Sequence, residues 1–365
     1  MQGTPGKKMG LFMATVLVLV NMVGTGIFLI PVSMASVGSI SIYGWVVATV
    51  GAAAIGLMFA MLGALNPLPG GPYAYARDSL GPYLGFQTNY VYWSANLVGN
   101  IAVATTVTGY FTDLVPIFHG EGREAIVTVI VIWGAVAINI AGPRWVGFCT
   151  GYGTVLAMIP LVAIAVLGWF WFDSQTFLGS WNPHHDSEWT GVSESAAFAL
   201  WAFMGVESAA VASDVIENPR RNVPLATMLG LSIAAVLYIA TCTVLMGIIP
   251  AEELAKSTAP FADAAMKAVG PVGATIIAIC AVLKAGSSLV GWTLTIAQSA
   301  CAAAKDGLFP RIFGWTDRRG IPTGNFIVTG ALMTIIVFAT MSPSLTQQFN
   351  EIIDMSIILT VLPYM

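Results

Sequence analysis

Charge is what this 365-residue chain has least of: Asp, Glu, Lys and Arg together make up 9% of it, against about a quarter in a soluble domain. So little charge argues against an ordinary water-soluble globule. With a net charge of −4 and no basic, aromatic-laced stretch, nothing suggests nucleic acid as a partner. Histidine is scarce too: His119, His184 and His185 all fall in polar loops, with no nucleophile motif beside them, which argues against an enzyme. His184-His185-Asp186 with Glu188 has metal-ligand residue types but no ligand scaffold, so no metal is expected. Cys149, Cys242, Cys280 and Cys301 sit in apolar stretches at wide spacing and read as reduced packing residues. A phosphate-binding glycine loop followed by Lys-Ser or Lys-Thr is absent, which argues against direct use of ATP and leaves no cofactor expected.

What abounds is apolar. Hydrophobic residues are 57% of the chain and the mean hydropathy is +0.81, the composition of an all-α protein that crosses a bilayer many times. Apolar segments near the ~20 residues that a spanning helix needs occur at 11–36, 40–65, 83–116, 125–141, 146–171, 192–216, 223–249, 270–304 and 323–341, and a last one starts near Phe349. That last segment stops in mid-pattern at Met365, so a missing C-terminal part is expected. The first is too long, and lacks the small-residue cleavage site, for a removable leader. Lys7, Lys8, Arg77, Arg144, Arg220, Arg221, Lys305, Arg311, Arg318 and Arg319 lie on the N-terminal side of these segments, against Arg123, Lys256 and Lys267 on the other. This asymmetry predicts a cytoplasmic N-terminus.

Two segments are interrupted. The first carries Asn21-Met22-Val23-Gly24-Thr25-Gly26 and then Pro31; the sixth carries Trp201-Ala202-Phe203-Met204-Gly205-Val206-Glu207-Ser208. Broken backbone in lipid is tolerated where it lines a cavity, and glycines also let neighbouring helices pack closely. Five segments separate the two breaks, and the helices that carry them run in opposite directions. That spacing predicts an inverted five-plus-five repeat, residues 1–171 and 192–365, with a site between the halves.

Some residues stand out on their own chemistry. Glu207 lies in mid-segment, where an ionisable group costs about 2.5–3.5 kcal/mol on insertion scales; it reads as a counter-charge, a gate latch or a protonated structural carboxyl. Trp201 and Trp292 offer indole faces worth about 0.5–2 kcal/mol to a cation, with core packing as the competing role. Asn100 must find a partner inside its helix bundle, either a solute or another helix.

The blocks Gly24–Pro31, Gly70-Gly71-Pro72-Tyr73-Ala74-Tyr75-Ala76, Trp201–Ser208, Glu217-Asn218-Pro219-Arg220-Arg221-Asn222-Val223-Pro224 and Asp306-Gly307-Leu308-Phe309-Pro310 resemble the amino acid–polyamine–organocation superfamily, through essentially the whole chain. More narrowly, the chain is similar to its bacterial basic amino acid/amine antiporters of the inner membrane. These exchange arginine for agmatine, lysine for cadaverine or ornithine for putrescine, in some cases for acid resistance. The resemblance implies a leucine-transporter-like fold, a bilayer setting, cationic amino acid and amine substrates, and a homodimer in the full-length protein. It also implies roles for particular residues. Met22, Gly24, Thr25 and Gly26 match the unwound segment that holds the substrate's carboxylate and amino group, with Gly205 at the second break. Ala95, Asn96, Asn100 and Val103 match a wall from the third spanning helix, Trp292 a wall from the eighth and Ser356 a contact from the tenth. Trp201 matches a gate over the substrate. Tyr92, Glu207 and Tyr364 match an inward-side gate, and Tyr73 a residue associated with pH response.

Lys284 departs from that pattern. Residues 284, 288 and 292 share one helical face, which points Lys284 toward the interior near helix one. There it would stand in for a sodium ion, or bridge to Glu351 or Asp354. The alternatives to exchange are a proton-coupled uptake permease and a non-transporting sensor on the same fold.

Overall fold

Backbone in lipid must satisfy its own hydrogen bonds, and helices do so within one segment. The computed structural model describes residues 8–24, 26–65, 72–183, 187–213, 216–341 and 344–364; the side chains of 72–74, 121, 143, 152–157, 302 and 361–364 lie outside that description. Thr25 and the side chains of Tyr73 and Tyr364 are therefore not described, nor are residues 184–186.

The first apolar segment folds as α1 (Leu11–Met22), a 3₁₀ turn (Gly26–Phe28) and α2 (Ile30–Val37). The next follow as α3 (Ser41–Leu65), the short α4 (Pro72–Leu80), α5 (Pro82–Leu114), α6 (Glu121–Ala141), α7 (Pro143–Leu167) and the short α8 (Ser174–Gly179). The sixth segment is split into α9 (Glu188–Ala202) and α10 (Ser208–Val211). Then come α11 (Pro219–Ile248), α12 (Ala251–Leu254), α13 (Pro260–Val269), α14 (Pro271–Lys305), α15 (Thr323–Ala339) and α16 (Leu345–Tyr364). Every segment read from the sequence is thus helical, whole or in pieces. Among the described residues, four helices are each long and apolar enough to cross a bilayer unbroken: α3, residues 122–141 of α6, α11 and α14.

Proline and glycine set the boundaries. Gly142 ends α6 and precedes α7 with φ 121°, a left-handed conformation that suits glycine, and Pro143 then begins the next helix with its φ already fixed. Pro160 and Pro224 stand inside α7 and α11, each removing one intrahelical donor.

Packing divides the helices into two groups. In one, α3 packs on α9 and α11, and α1 packs on α11. Small residues permit this closeness: Gly44, Gly56 and Gly63 of α3 abut Ser195, Val206 and Ala210 with no room for a Cβ. In the other, α5 and α14 pack on each other and on α6 and α15; α7 lies along α14 and α16 along α5. Trp45 of α3, Phe203 in the second break and Tyr238 of α11 pack ring against ring at 5.1–5.8 Å, which fixes the break against its neighbours. Val50, Val236, Ile276 and Ile335 are among the apolar side chains left exposed, as a lipid-facing surface requires.

Candidate functional site

Both helix breaks meet at one place. After α1 ends at Met22, the chain turns through Val23 and Gly24 before the 3₁₀ turn; after α9 ends at Ala202, it turns through residues 203–207 before α10. Carbonyls at the two ends share a partner, and the Met22 oxygen also accepts from the Gly24 amide. The Tyr238 hydroxyl lies 2.5 Å from the Met22 oxygen and 3.0 Å from the Ala202 oxygen, so a single phenol from α11 ties the breaks together. Asn21 donates its side-chain amide to Ser208 Oγ at 2.9 Å, and Ser208 in turn donates to the Gly205 carbonyl. Gly205 itself has φ 100°, and a Cβ there would press on the Asn21 backbone.

Between the breaks is a cavity of about 50 Å³, lined by Asn21, Met22, Gly24, Gly26, Asn96, Gly99, Asn100, Val103, Trp201, Ala202, Met204 and Trp292. Eight positions singled out in the sequence thus converge: Met22, Gly24, Gly26, Asn96, Asn100, Val103, Trp201 and Trp292. Asn21, Gly99, Ala202 and Met204 were not among them. Asn100 lines this cavity and also donates to Thr293 Oγ1 of α14 at 3.4 Å, a bond to another helix. Asn96 donates to the Tyr92 carbonyl one turn earlier in α5.

Ala95 and Ser356 belong behind the wall, not on it. Ser356 Oγ accepts from the Trp201 indole nitrogen at 3.3 Å and donates to the Ala95 carbonyl at 3.2 Å, so this pair positions Trp201. Phe349 meets the indole edge to face at 5.9 Å, and the indole of Trp201 occupies the space a Cβ on Gly26 would need. A residue in the helix-three wall and a helix-ten contact were expected to touch a solute; among the described residues that line the cavity, neither appears.

One side of this cavity is closed by several layers. Tyr110 of α5 donates to the Phe28 carbonyl at 2.8 Å and accepts from the Phe261 amide at 3.3 Å, while the Phe28 ring sits 5.3 Å from that of Phe261 and 5.9 Å from that of Tyr110. Ser33 of α2 bonds to Asn350 of α16 on the same side.

On the other side lies a larger cavity of about 440 Å³ that shares Asn21 and Trp292 with the first. Here Glu207 and Lys284 face a common space, each 2% exposed. Glu207 caps the second break: its carboxylate accepts from the Gly205 amide at 3.1 Å and from the Tyr92 hydroxyl at 3.5 Å. Lys284 shares this wall with Ser288 and Trp292, as the helical face predicts, and with Leu17, Val20 and Asn21 of α1. Glu351 and Asp354 lie elsewhere, with Lys256 and Asn350 around a separate cavity of about 340 Å³. The expected Lys284 bridge to either acid is therefore replaced by the company of Glu207: the acids of α16 face a different cavity from the lysine of α14. Tyr75 of α4 is buried with its hydroxyl 3.4 Å from the Ala210 carbonyl, next to α10.

The sequence profile of the family described as amino acid permease matches residues 9–365. The chain is 37% identical over 363 residues to a cadaverine/lysine antiporter of Escherichia coli (strain K12), covering 98% of this chain and 82% of that protein. It is 36% identical over 364 residues to the putrescine transporter PotE of the same strain, covering 100% of this chain and 83% of that protein. A putrescine transporter PotE of Haemophilus influenzae is 36% identical over 358 residues, covering 98% and 82%.

Proposed function

The chain belongs to the amino acid permease family, and from that premise we propose that it is a secondary transporter exchanging a cationic amino acid for its decarboxylated amine by alternating access. It is a multi-pass protein of the bacterial inner membrane. Lysine/cadaverine and ornithine/putrescine are the favoured pairs, since the similar proteins are named for cadaverine, lysine and putrescine; neither name mentions arginine or agmatine.

The observation that carries this reading is the convergence of two broken helices on one cavity walled by Trp201 and Trp292. Exposed backbone dipoles at the breaks suit an amino acid's carboxylate and ammonium, and indole faces suit a cationic tail. Trp201, braced by Ser356 and Phe349, serves as the gate on the closed side. Glu207 with Tyr92 serves as the latch on the side of the larger cavity. The wall of that cavity includes Thr150 of α7 and Gln298 of α14, which lie in the halves of those helices nearest Arg144 and Lys305. With a cytoplasmic N-terminus, the arrangement is closed outward and hollow inward.

The helix pairs support the inverted repeat as well. Exchanging α1 for α9, α3 for α11, α5 for α14, α6 for α15 and α7 for α16 turns the α1–α11 pair into α9–α3 and the α7–α14 pair into α16–α5, all of which pack. A buried carboxyl in the larger cavity also suits the alternative, a proton-coupled uptake permease. Counterflow in proteoliposomes separates the two: an obligate exchanger accumulates labelled lysine only when unlabelled lysine or amine is inside, and a permease accumulates it against empty vesicles under a pH gradient.

A further inference from the structure

A cationic amino acid and its decarboxylated amine have the same tail and differ at one group. The amino acid carries a carboxylate and a net charge of +1; the amine lacks the carboxylate and carries +2. The backbone dipoles at the breaks offer that carboxylate only partial charges; a fixed full cation within reach of the solute adds a discrimination by net charge. Among the described residues lining these two neighbouring cavities, Lys284 is the cation.

Its setting suits that task. Lys284 is buried on α14, while Glu207 is buried at the start of α10, and both face the same 440 Å³ space. Neither is without partners inside the protein, and the chamber wall carries one group of each sign. Ser288 and Trp292 continue the Lys284 face toward the smaller cavity. Glu207 attracts the ammonium that both substrates carry. An ammonium fixed close by favours a solute that also brings a carboxylate and disfavours one that brings a second positive charge, and the low dielectric of a buried chamber strengthens both effects.

We propose that Lys284 is a specificity-determining residue that reads the substrate's carboxylate, favouring the amino acid over the amine in the chamber beneath Trp292. This rests on the exchange reading above and adds to it a discrimination that the tryptophans, which attract any cation, do not supply.

The test is equilibrium binding of lysine, cadaverine and lysinamide to the purified full-length protein, comparing wild type with Lys284→Met and Lys284→Arg. Lysinamide keeps both amino groups and replaces the carboxylate by a neutral amide. Removing a charge-assisted partner predicts about ten- to hundredfold weaker lysine binding in Lys284→Met, with cadaverine and lysinamide unchanged or tighter. Lys284→Arg should keep the wild-type order. Equal weakening for lysine and cadaverine would make the lysine a merely structural residue and overturn the proposal. Should Lys284→Met fail to fold, the wild type still decides: lysine and lysinamide bound with equal affinity would also overturn it. Wild-type protein that binds and exchanges both substrates, but with a preference indifferent to residue 284, would leave the exchange reading standing and remove this inference alone.

Discussion

Gly205→Ala is the most telling single perturbation of the helix breaks. Gly205 has φ 100°, and a Cβ added there would lie 3.1 Å from the carbonyl carbon of Asn21 and 3.2 Å from its oxygen. Left-handed backbone costs a non-glycine residue about 1–2 kcal/mol. The close contact adds about 1 kcal/mol of overpacking, because its neighbour is backbone and cannot rotate aside. The sum, about 2–3 kcal/mol, corresponds to a roughly 30- to 150-fold loss in population of the intact arrangement. Since Asn21 lines both cavities, the strain should reach solute binding as well as stability. Thermal unfolding in detergent and calorimetric titration with lysine read the two effects. Gly51→Ala is the internal control: Gly51 lies in α3 with no heavy atom near the space its Cβ would fill, and the change should be neutral or slightly stabilising. Gly205→Ala that melts and binds like wild type would refute the claim that the two breaks are mutually pressed together.

Tyr238→Phe should lower stability by about 1–3 kcal/mol by leaving the Met22 and Ala202 carbonyls without their shared donor; an unshifted melting curve would show that other groups satisfy them. Trp292→Leu should weaken amine binding by about 0.5–2 kcal/mol, with Trp292→Phe intermediate, whereas equal affinity in all three proteins would reduce Trp292 to packing. Asp263 in α13 tests the closed side: burial lifts its carboxyl above the usual aspartate range despite the Ser257 hydroxyl bonded to it. A raised native value means that the folded state holds the proton more tightly, so stability is greatest below the unfolded aspartate pKa and falls as pH rises through the native one. Asp263→Asn should therefore gain in melting temperature over wild type at pH 7 and lose that advantage near pH 4; a gain that does not change with pH would contradict this.

The breaks were legible because two glycines and Pro31 in the first apolar run, and Gly205 beside polar Glu207 and Ser208 in the sixth, conflict with a continuous spanning helix, and Gly24, Gly26 and Gly205 all lie at breaks. The Lys284 face followed from helical period alone, since 284, 288 and 292 lie on one α-helix. Depth and azimuth were less accessible. Nothing local says that Tyr238, one polar residue in the apolar run of α11, faces two carbonyls from other helices, or that Asn21 bonds to Ser208. For the same reason Lys284 was expected beside Glu351 or Asp354, although α14 and α16 present these side chains to different cavities. Ser356 illustrates a subtler gap: the family resemblance placed it near the site, but only packing shows its hydroxyl spanning Trp201 and Ala95. The short helices α4, α8, α12 and α13 occupy stretches read as loops, their apolar faces too brief to give a periodic signal.

The central claim is exchange of a cationic amino acid for its amine, and the measurement that meets it most directly is labelled lysine uptake into proteoliposomes loaded with cadaverine, at imposed membrane potentials. Lysine at +1 entering against cadaverine at +2 leaving moves one positive charge outward, worth about 2.3 kcal/mol per 100 mV. The account predicts uptake that requires internal amine or amino acid, is accelerated by an inside-positive potential and is slowed by an inside-negative one. Uptake into amine-free vesicles at the same rate, or heteroexchange indifferent to potential, would contradict it.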